Sequence, residues 1–195
     1  MSMKFTKVPA NTWKTIQLNA GILVDSFTPS TGAIGNILGA TSGGVNFNSN
    51  PTYVDFGEDV DNVPANTKEL KKLQGFDPAM SGNLITCTAA GVKKLLAAAD
   101  IDSDDETHVI PRAVLKTTDF HEVWWIGDYS DENEDESAGF LAIHMKDSLN
   151  TTGFQIQSTK NGKGQMAFEF HGHYTLEDLE LNPPFEIYVK AGSAE

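Results

Sequence analysis

The sequence has few of the residues that form cross-links or span membranes. Its single cysteine, Cys87, excludes an intrachain disulfide, and it lies in the apolar stretch LITCTAA, where we expect a small buried thiol rather than a nucleophile. No apolar run is long enough to cross a bilayer, and the first residues, MSMKFTKVPANTW, include no apolar segment of signal-peptide length. We therefore expect a protein that is made in a cytoplasm and is soluble there.

Basic residues are also scarce. The chain has 14 Lys and Arg against 27 Asp and Glu, which gives a formal net charge of −13. Tight nucleic-acid binding needs clustered cations that release counterions from phosphates, so this class is disfavoured. Two acidic runs, DIDSDDE (100–106) and DENEDE (131–136), hold five acids each, and the remainder is nearly balanced. Neither run has the ligand spacing of an EF-hand loop, so we expect solvated loops.

The motifs of common catalytic and cofactor sites are missing as well. The sequence contains no GxSxG elbow, no HExxH helix and no CxxC pair. Gly32, Gly35 and Gly39 resemble a phosphate-binding loop in composition only, because neither glycine-rich fingerprint is present. We predict no catalytic residue, no cofactor and no metal, and therefore no enzyme.

The patterns that are present indicate a mainly β fold with one helix. GILVDSF, YVDFG and FEIYVK have the composition of strands, whereas KELKKLQGF fits either a helix or a strand. TKNGKG separates two further strand-like segments, and its Asn161-Gly162 pair suits a tight hairpin turn. Thr88 can cap a helix whose apolar face is expected to lie on a sheet. That face consists of Val92, Leu95, Leu96 and Ala99.

Residues 29–52 mix Gly, Ser, Thr and Asn without helical or strand periodicity, which predicts a long loop. Loops of this length in a compact domain are usually functional or disordered. A solvated loop has no need of the apolar residues found here, so we predict that they contact a neighbouring subunit. These residues are Ile34, Ile37, Leu38, Val45 and Phe47.

The segment GQMAFEFHGHYTL (164–176) alternates in the manner of a strand with one buried face. The predicted apolar face holds Met166, Phe168, Phe170, Tyr174 and Leu176, and the opposite face holds Gln165, Glu169, His171, His173 and Thr175. The two histidines could chelate a metal, but the spacing marks no third ligand, so solvated histidines are favoured. Trp124 and Trp125 should point in opposite directions, one into the core and one toward a surface, interface or pocket.

Two long stretches resemble major tail proteins, the tail tube subunits of long-tailed bacteriophages. The first is YVDFGEDVDNVPANTKELKKLQGFDPAMSGNLITCTAAGVKKLLAAADI (53–101), and the second is GQMAFEFHGHYTLEDLELNPPFEIYVKAG (164–192). The resemblance runs from about Tyr53 to Gly192 and rests on composition rather than on catalytic motifs.

The resemblance implies a single tail-tube domain over residues 1–195, folded as a β-sandwich or barrel with a flanking helix and a long inter-subunit loop. Such subunits form hexameric rings that stack into a tube around the tape measure protein and meet tail terminator and tip proteins. DNA passes through the bore without specific binding. The implied location is the virion tail, reached from the host cytoplasm during assembly.

The resemblance also implies roles for particular residues. Residues 29–52 become the candidate contact loop between rings, and Gln165, Glu169, His171 and His173 become candidate bore-facing residues. Two other functions stay open. One is a related injection tube of a secretion system or contractile tail, and the other is a β-sandwich ligand-binding module, for example for carbohydrate, that stacks its ligand on Trp124 or Trp125.

Overall fold

The computed structural model of the protein describes residues 8–9, 12, 16–129, 139–176 and 182–190. The fold is mainly β, as the sequence predicts, and the described residues include one α-helix. The acidic run at 131–136 lies outside them. The helix is α1 (Ala89–Leu96), and the strands are β1 (Ile22–Val24), β2 (Phe27–Thr28), β3 (Ala33–Ile34), β4 (Ile37–Gly39), β5 (Thr41–Asn48), β6 (Pro51–Asp55), β7 (Lys71–Phe76), β8 (Ala79–Leu84), β9 (Ala99–Ile101), β10 (Val109–Pro111), β11 (His121–Asp128), β12 (Phe140–Asn150), β13 (Gln155–Gln157), β14 (Gln165–Gly172) and β15 (Phe185–Lys190).

The largest sheet folds over so that its two ends meet. Its antiparallel strands follow the order β4-β1-β11-β12-β14-β8-β5, with β13 paired to β14 and β15 paired to β12. The end strands β4 and β5 are separated only by Ala40, yet β4 pairs with β1 and β5 pairs with β8. One nearly continuous strand therefore joins the two ends and closes a two-layered, barrel-like body.

The other corner of this body lies within β12. Phe140 to Met145 pair with β15, whereas Ser148 to Asn150 pair with β14. Between these two halves, Asp147 has a φ of 44°, a left-handed conformation that few non-glycine residues adopt. The strand thus turns from one layer into the other at this residue.

The main core lies between the two layers. One layer contributes side chains from β1, β11 and β12, and the other contributes side chains from β8 and β14. The buried members are Leu23, Met80, Leu84, Leu95, Val123, Trp125, Ile143, Met145, Met166, Phe168 and Phe170. Burying each large apolar side chain stabilises the fold by roughly 1.5–3 kcal/mol, so this cluster supplies most of the driving force.

The layer of β1, β11 and β12 has a second apolar cluster on its other face. This cluster comprises Val24, Phe27, Trp124, Ile126, Phe140 and Ala142. Trp124 and Trp125 do point in opposite directions, but each enters a buried cluster. The prediction of a surface or interface tryptophan is therefore wrong, because β11 has apolar packing on both faces.

The helix begins as the sequence predicts. The Thr88 hydroxyl accepts a hydrogen bond from the Gly91 backbone N–H at 3.0 Å, which is an N-cap. Leu95 is fully buried in the main core, whereas Val92 and Leu96 are only partly buried. Ala99 is also buried, but it lies in β9 because the helix ends at Leu96.

The predicted long loop at 29–52 is wrong. This segment contains β3, β4, β5 and the start of β6, and Leu38, Val45 and Phe47 pack against the main core. Gly43 and Gly44 have φ values of 83° and 82° and form a bulge that shifts the register of β5. This bulge interrupts the alternation of side chains, which explains why the sequence gives no strand signal here.

The remaining expectations divide between confirmation and correction. Asn161 adopts a φ of 60°, but Gly162 does not have a positive φ and seven residues, 158–164, join β13 to β14, so the hairpin connection is longer than the predicted tight turn. The ambiguous KELKKLQGF segment contains strand β7. Cys87 is exposed rather than buried, because it lies in the connection between β8 and α1.

Candidate assembly surfaces

Strands β5, β8, β14 and β13 form one wall of the body, in that order. Met166, Phe168 and Phe170 of β14 point into the main core, and the residues between them are partly exposed, so the predicted alternation is confirmed along this strand. The strand ends at Gly172. Tyr174 and Leu176 lie beyond it and are exposed, which corrects their placement on the apolar face.

The outer side of this wall is a polar face formed by all four strands. Register pairs such as Asn83 with Ala167 and Asn46 with Ser81 place its side chains next to each other. The polar face comprises Asn46 and Asn48 of β5, Ser81 and Asn83 of β8, Gln155 and Gln157 of β13, and Gln165, Ala167, Glu169 and His171 of β14. None of the four strands contains a lysine or an arginine.

A shallow depression of about 120 Å³ lies on the polar face. Its lining is dominated by the amide side chains of Asn83, Gln155, Gln157 and Gln165, and includes Ile156 and Ala167. Amides donate and accept hydrogen bonds but do not titrate near neutral pH, so this lining offers hydrogen bonding to water rather than acid–base chemistry.

Only part of the predicted bore-facing set shares this face. Gln165, Glu169 and His171 belong to it, and His171 lies between two carboxylates, with Nδ1 3.0 Å from Asp77 Oδ1 and Nε2 3.4 Å from Glu169 Oε1. His173 lies beyond the end of β14, where its ring packs edge-on against Phe120 at a centroid distance of 5.1 Å.

The two histidines do not converge on a common ligand site. His173 Nδ1 lies 3.1 Å from the carbonyl oxygen of Asp147, whereas His171 contacts carboxylates. Across the described ranges, no cluster of three or more His, Cys, Asp or Glu side chains is arranged to hold a metal ion.

A third histidine, His144, is buried at the base of a partly exposed charged cluster that the sequence does not reveal. Its ring stacks on Trp124 at a centroid distance of 3.9 Å, and its nitrogens lie 3.3 Å from Glu122 Oε2 and 3.8 Å from Glu186 Oε2. Burial lowers the pKa of His144, although the two carboxylates oppose this shift. Lys146 and Tyr188 both donate to the Glu186 carboxylate, so the cluster ties β12 to β15.

Strands β6 and β7 form a hairpin, which we call the arm (residues 51–76). In the described part of the chain they pair with each other and with no further strand. Tyr53 and Leu73 are opposite each other across the hairpin and are 54% and 51% exposed, and Phe56 near its tip is 60% exposed. At the base, the Phe76 N–H donates to the Tyr174 hydroxyl at 2.8 Å. We predicted a contact segment at residues 29–52, but the exposed apolar side chains of the arm come after that segment in the sequence.

The five predicted contact residues fall into two groups. Ile34 and Ile37 are at least half exposed, so they are available to a partner. Leu38, Val45 and Phe47 are partly buried against the main core and mainly stabilise the subunit itself. Phe47 also contacts Phe185 of β15, with ring centroids 5.6 Å apart.

No helix within the described residues combines the length and the apolar composition needed to cross a membrane. The chain matches no protein-family model, and no curated protein is similar to it at a significant level.

Proposed function

We propose that the protein is the structural subunit of a bacteriophage tail tube, in which hexameric rings stack into the conduit for DNA ejection. The observation that carries this proposal is the polar face. It extends over four strands, is backed by the main core and contains no lysine or arginine.

A wall of this kind suits a channel for DNA. Proteins hold duplex DNA mainly through lysine and arginine, because these neutralise phosphates and release counterions. The polar face presents amides and hydroxyls, and its ionisable groups are Glu169 and His171. Such a surface stays hydrated and gives a passing polyanion little to bind, which a conduit requires.

The arm supports stacking of rings. Its apolar side chains at Tyr53, Phe56 and Leu73 are about half exposed, although the arm lies outside the main core. Exposed apolar groups that cluster on one surface element commonly mark a protein contact. In a tube, the neighbouring ring is the partner that these side chains would contact.

The ligand-binding alternative has no accessible tryptophan to support it. Stacking of a sugar requires an accessible aromatic ring, but Trp124 and Trp125 are 4% and 9% exposed. A related injection tube of a secretion system or contractile tail makes the same demands on the subunit as a phage tail, and neighbouring genes would separate these two assignments.

Negative-stain electron microscopy of the purified protein tests the proposal. We expect hexameric rings with an open centre and, at higher protein concentration, hollow tubes. Sedimentation velocity on the same samples measures the assembled fraction. A protein that remains monomeric at every concentration, in both measurements, contradicts the tail-tube function.

A further inference from the structure

The arm continues the two-stranded ribbon that β5 and β8 form in the body. The ribbon ends at the register pair of Asn48 with Ala79, and the arm begins at the pair of Pro51 with Phe76. A short break in regular pairing lies between these two pairs. An isolated two-stranded hairpin is only marginally stable in water, so the contacts near this break decide how firmly the arm is held.

The break interrupts the ladder of hydrogen bonds along the ribbon. The Asp77 N–H donates to the Asn50 carbonyl oxygen at 3.0 Å, which is a hydrogen bond across the break. Pro78 has no N–H to donate, and its carbonyl oxygen accepts from the Gly172 N–H at 3.1 Å. This strand of the ribbon is therefore tied to the end of β14 at the point where its pairing with β5 stops.

The chain that follows β14 makes the next contact with the arm. Tyr174 lies just beyond the end of β14, and its hydroxyl accepts a hydrogen bond from the Phe76 N–H at 2.8 Å. Its ring lies against Gly75, where a Cβ would be 3.2 Å from Tyr174 Oη and 3.7 Å from Cζ. Gly75 and Phe76 are the last residues of β7, so both contacts hold the base of the arm.

Two further side-chain contacts lie beside this one. His171 Nδ1 is 3.0 Å from Asp77 Oδ1, and the Phe76 ring packs edge-on against Phe185 at a centroid distance of 5.4 Å. These contacts come from β14 and β15. The base of the arm is thus held by side chains of the body, whereas β6 and β7 pair only with each other among the described strands.

Tyr174 contributes little to the core of the body. It is 40% exposed and belongs to neither buried cluster. The hydrogen bond from the Phe76 N–H is also exposed, so water can replace the hydroxyl as the acceptor. The hydroxyl is therefore dispensable for folding, and its contacts are with the base of the arm.

We propose that Tyr174 is a positioning residue that clasps the base of the arm and fixes the angle between the arm and the body before a partner binds. An arm that is already ordered loses less conformational entropy on binding, so the clasp strengthens any contact that the arm makes. The clasp is a property of the single subunit. Its consequence for the stacking of rings rests on the proposed tail-tube function.

Single-molecule fluorescence energy transfer measures the position of the arm. In a Cys87→Ser background, dyes at Asp59→Cys in the arm and Gln157→Cys in β13 report the distance between arm and body, and both sites are exposed. Each burst of fluorescence reports one labelled subunit, so the measurement needs no assembly. Tyr174→Phe keeps the ring and removes the hydroxyl. We expect it to raise the population of displaced arms about fivefold, because one hydrogen bond is lost.

Tyr188→Phe is the matched control for this measurement. It also removes a hydroxyl that makes a hydrogen bond, but that bond goes to Glu186 within β15 and not to the arm. The distance distribution should therefore equal that of the wild type. A distribution that Tyr174→Phe leaves unchanged, or that both substitutions broaden equally, overturns the clasp.

A methyl group at Gly75 tests the same contact from the side of the arm. Gly75→Ala places its Cβ closer to Tyr174 Oη than an ordinary van der Waals contact, so the ring must move. Gly75 has no positive φ, so the backbone accepts alanine. We expect Gly75→Ala to displace the arm as Tyr174→Phe does. Gly164→Ala, whose Cβ would have no atom within 4 Å, is the control and should have no effect. Equal distributions for the two alanine variants contradict the clasp.

Electron microscopy of Tyr174→Phe tests the consequence for assembly. We expect rings as in the wild type, shorter tubes and an unchanged midpoint of thermal unfolding, whereas damage to the core would lower the midpoint and ring formation together. Tubes of wild-type length from a variant whose arm is displaced overturn the role of the clasp in stacking. A protein that assembles in no variant contradicts the tail-tube function, while the fluorescence measurement still decides the clasp.

Discussion

At the scale of single residues, Asn150 shows how one buried amide joins three elements. Its side chain is 2% exposed, and Nδ2 donates to the carbonyl oxygens of Leu95 at 2.7 Å and Gly153 at 2.9 Å. Oδ1 accepts from the Glu169 N–H at 2.8 Å. The end of α1, the turn after β12 and strand β14 are therefore held by one side chain.

Replacing this amide should be costly. Asn150→Ala leaves one buried and one partly buried carbonyl and one N–H without that partner, so we expect the free energy of unfolding to fall by about 2–3 kcal/mol. Urea denaturation followed by tryptophan fluorescence measures this loss. Asn46→Ala, at an exposed site on the polar face, is the matched control, with an expected change within about 0.5 kcal/mol. Equal losses would mean that Asn150 holds no such junction.

A second residue makes stability depend on pH. Burial, with a further contribution from the nearby cation of Lys94, lowers the pKa of His121 to about 4 from an ordinary value of 6.5. Above pH 6.5 the side chain is neutral in both the folded and the unfolded chain. Between pH 6.5 and 4 the unfolded chain binds a proton that the folded protein does not, so stability falls as the pH falls.

His121→Asn removes this titration, and its amide can replace the ring's contact with the Asp119 carbonyl, which is 3.1 Å from Nδ1. We expect the loss of unfolding free energy between pH 7 and pH 4.5 to be smaller by about 2 kcal/mol than in the wild type. His144 also has a lowered pKa, so part of the dependence should persist. Asn46→Ala, at an exposed site, changes no titrating side chain, so it is the control and should retain the wild-type pH profile.

At the scale of elements, the sequence predicts those that are defined by local rules. The N-cap at Thr88 and the alternation along β14 are both confirmed. The cap depends on one hydrogen bond between residues that are close in sequence, and the alternation depends on a single strand with one buried face. β5 was not predicted because its glycine bulge breaks the alternation of apolar and polar side chains. β7 was ambiguous because four successive residues, 71–74, are exposed, so no buried face imposes a period.

The candidate site was only partly predictable for a related reason. Gln165, Glu169 and His171 lie on one strand, so alternation alone places them on a common side. The partners of β14 on the polar face come from residues 46–48, 81–83 and 155–157, which are distant in sequence. Strand pairing brings these residues together, and no local pattern encodes that pairing.

The arm gives a prediction at the same scale. Replacing residues 54–72 with Asn-Gly joins Tyr53 to Leu73 by a short turn and removes the exposed tip, including Phe56. We expect a folded subunit that forms single rings but no long tubes, with tube length measured by electron microscopy.

By contrast, deleting residues 32–47 should unfold the subunit, because β4 and β5 belong to the closed sheet.

A milder pair of variants controls for the length of the arm. Tyr53→Ser with Leu73→Ser removes the exposed apolar pair and should shorten tubes, whereas Lys68→Ser, at a side chain that is 89% exposed, should not. Tubes of normal length from both the shortened arm and the double serine variant would show that the arm makes no contact between rings.

At the scale of the whole molecule, the distribution of charge matters more than its sum. The net charge of −13 includes 14 basic residues, yet the strands of the polar face contain none of them. If six copies line a bore with this face, DNA meets strands without lysine or arginine over the whole circumference. Weak DNA binding would therefore depend on the composition of this face. Adding cations to the face should strengthen DNA binding even though the protein keeps its negative net charge.

Asn83→Lys with Gln165→Lys adds two cations per subunit to the polar face, and Ala65→Lys with Gln74→Lys adds the same charge to the arm. We expect assembled wild-type rings and the arm variant to bind a short DNA duplex weakly. The polar-face variant should bind it at least tenfold more tightly in fluorescence anisotropy at low salt. Each new lysine–phosphate contact should steepen the dependence of log Kd on log salt by about 0.9, because a counterion is released at each contact. Equal affinities for the two variants would mean that the polar face does not line the path of the DNA.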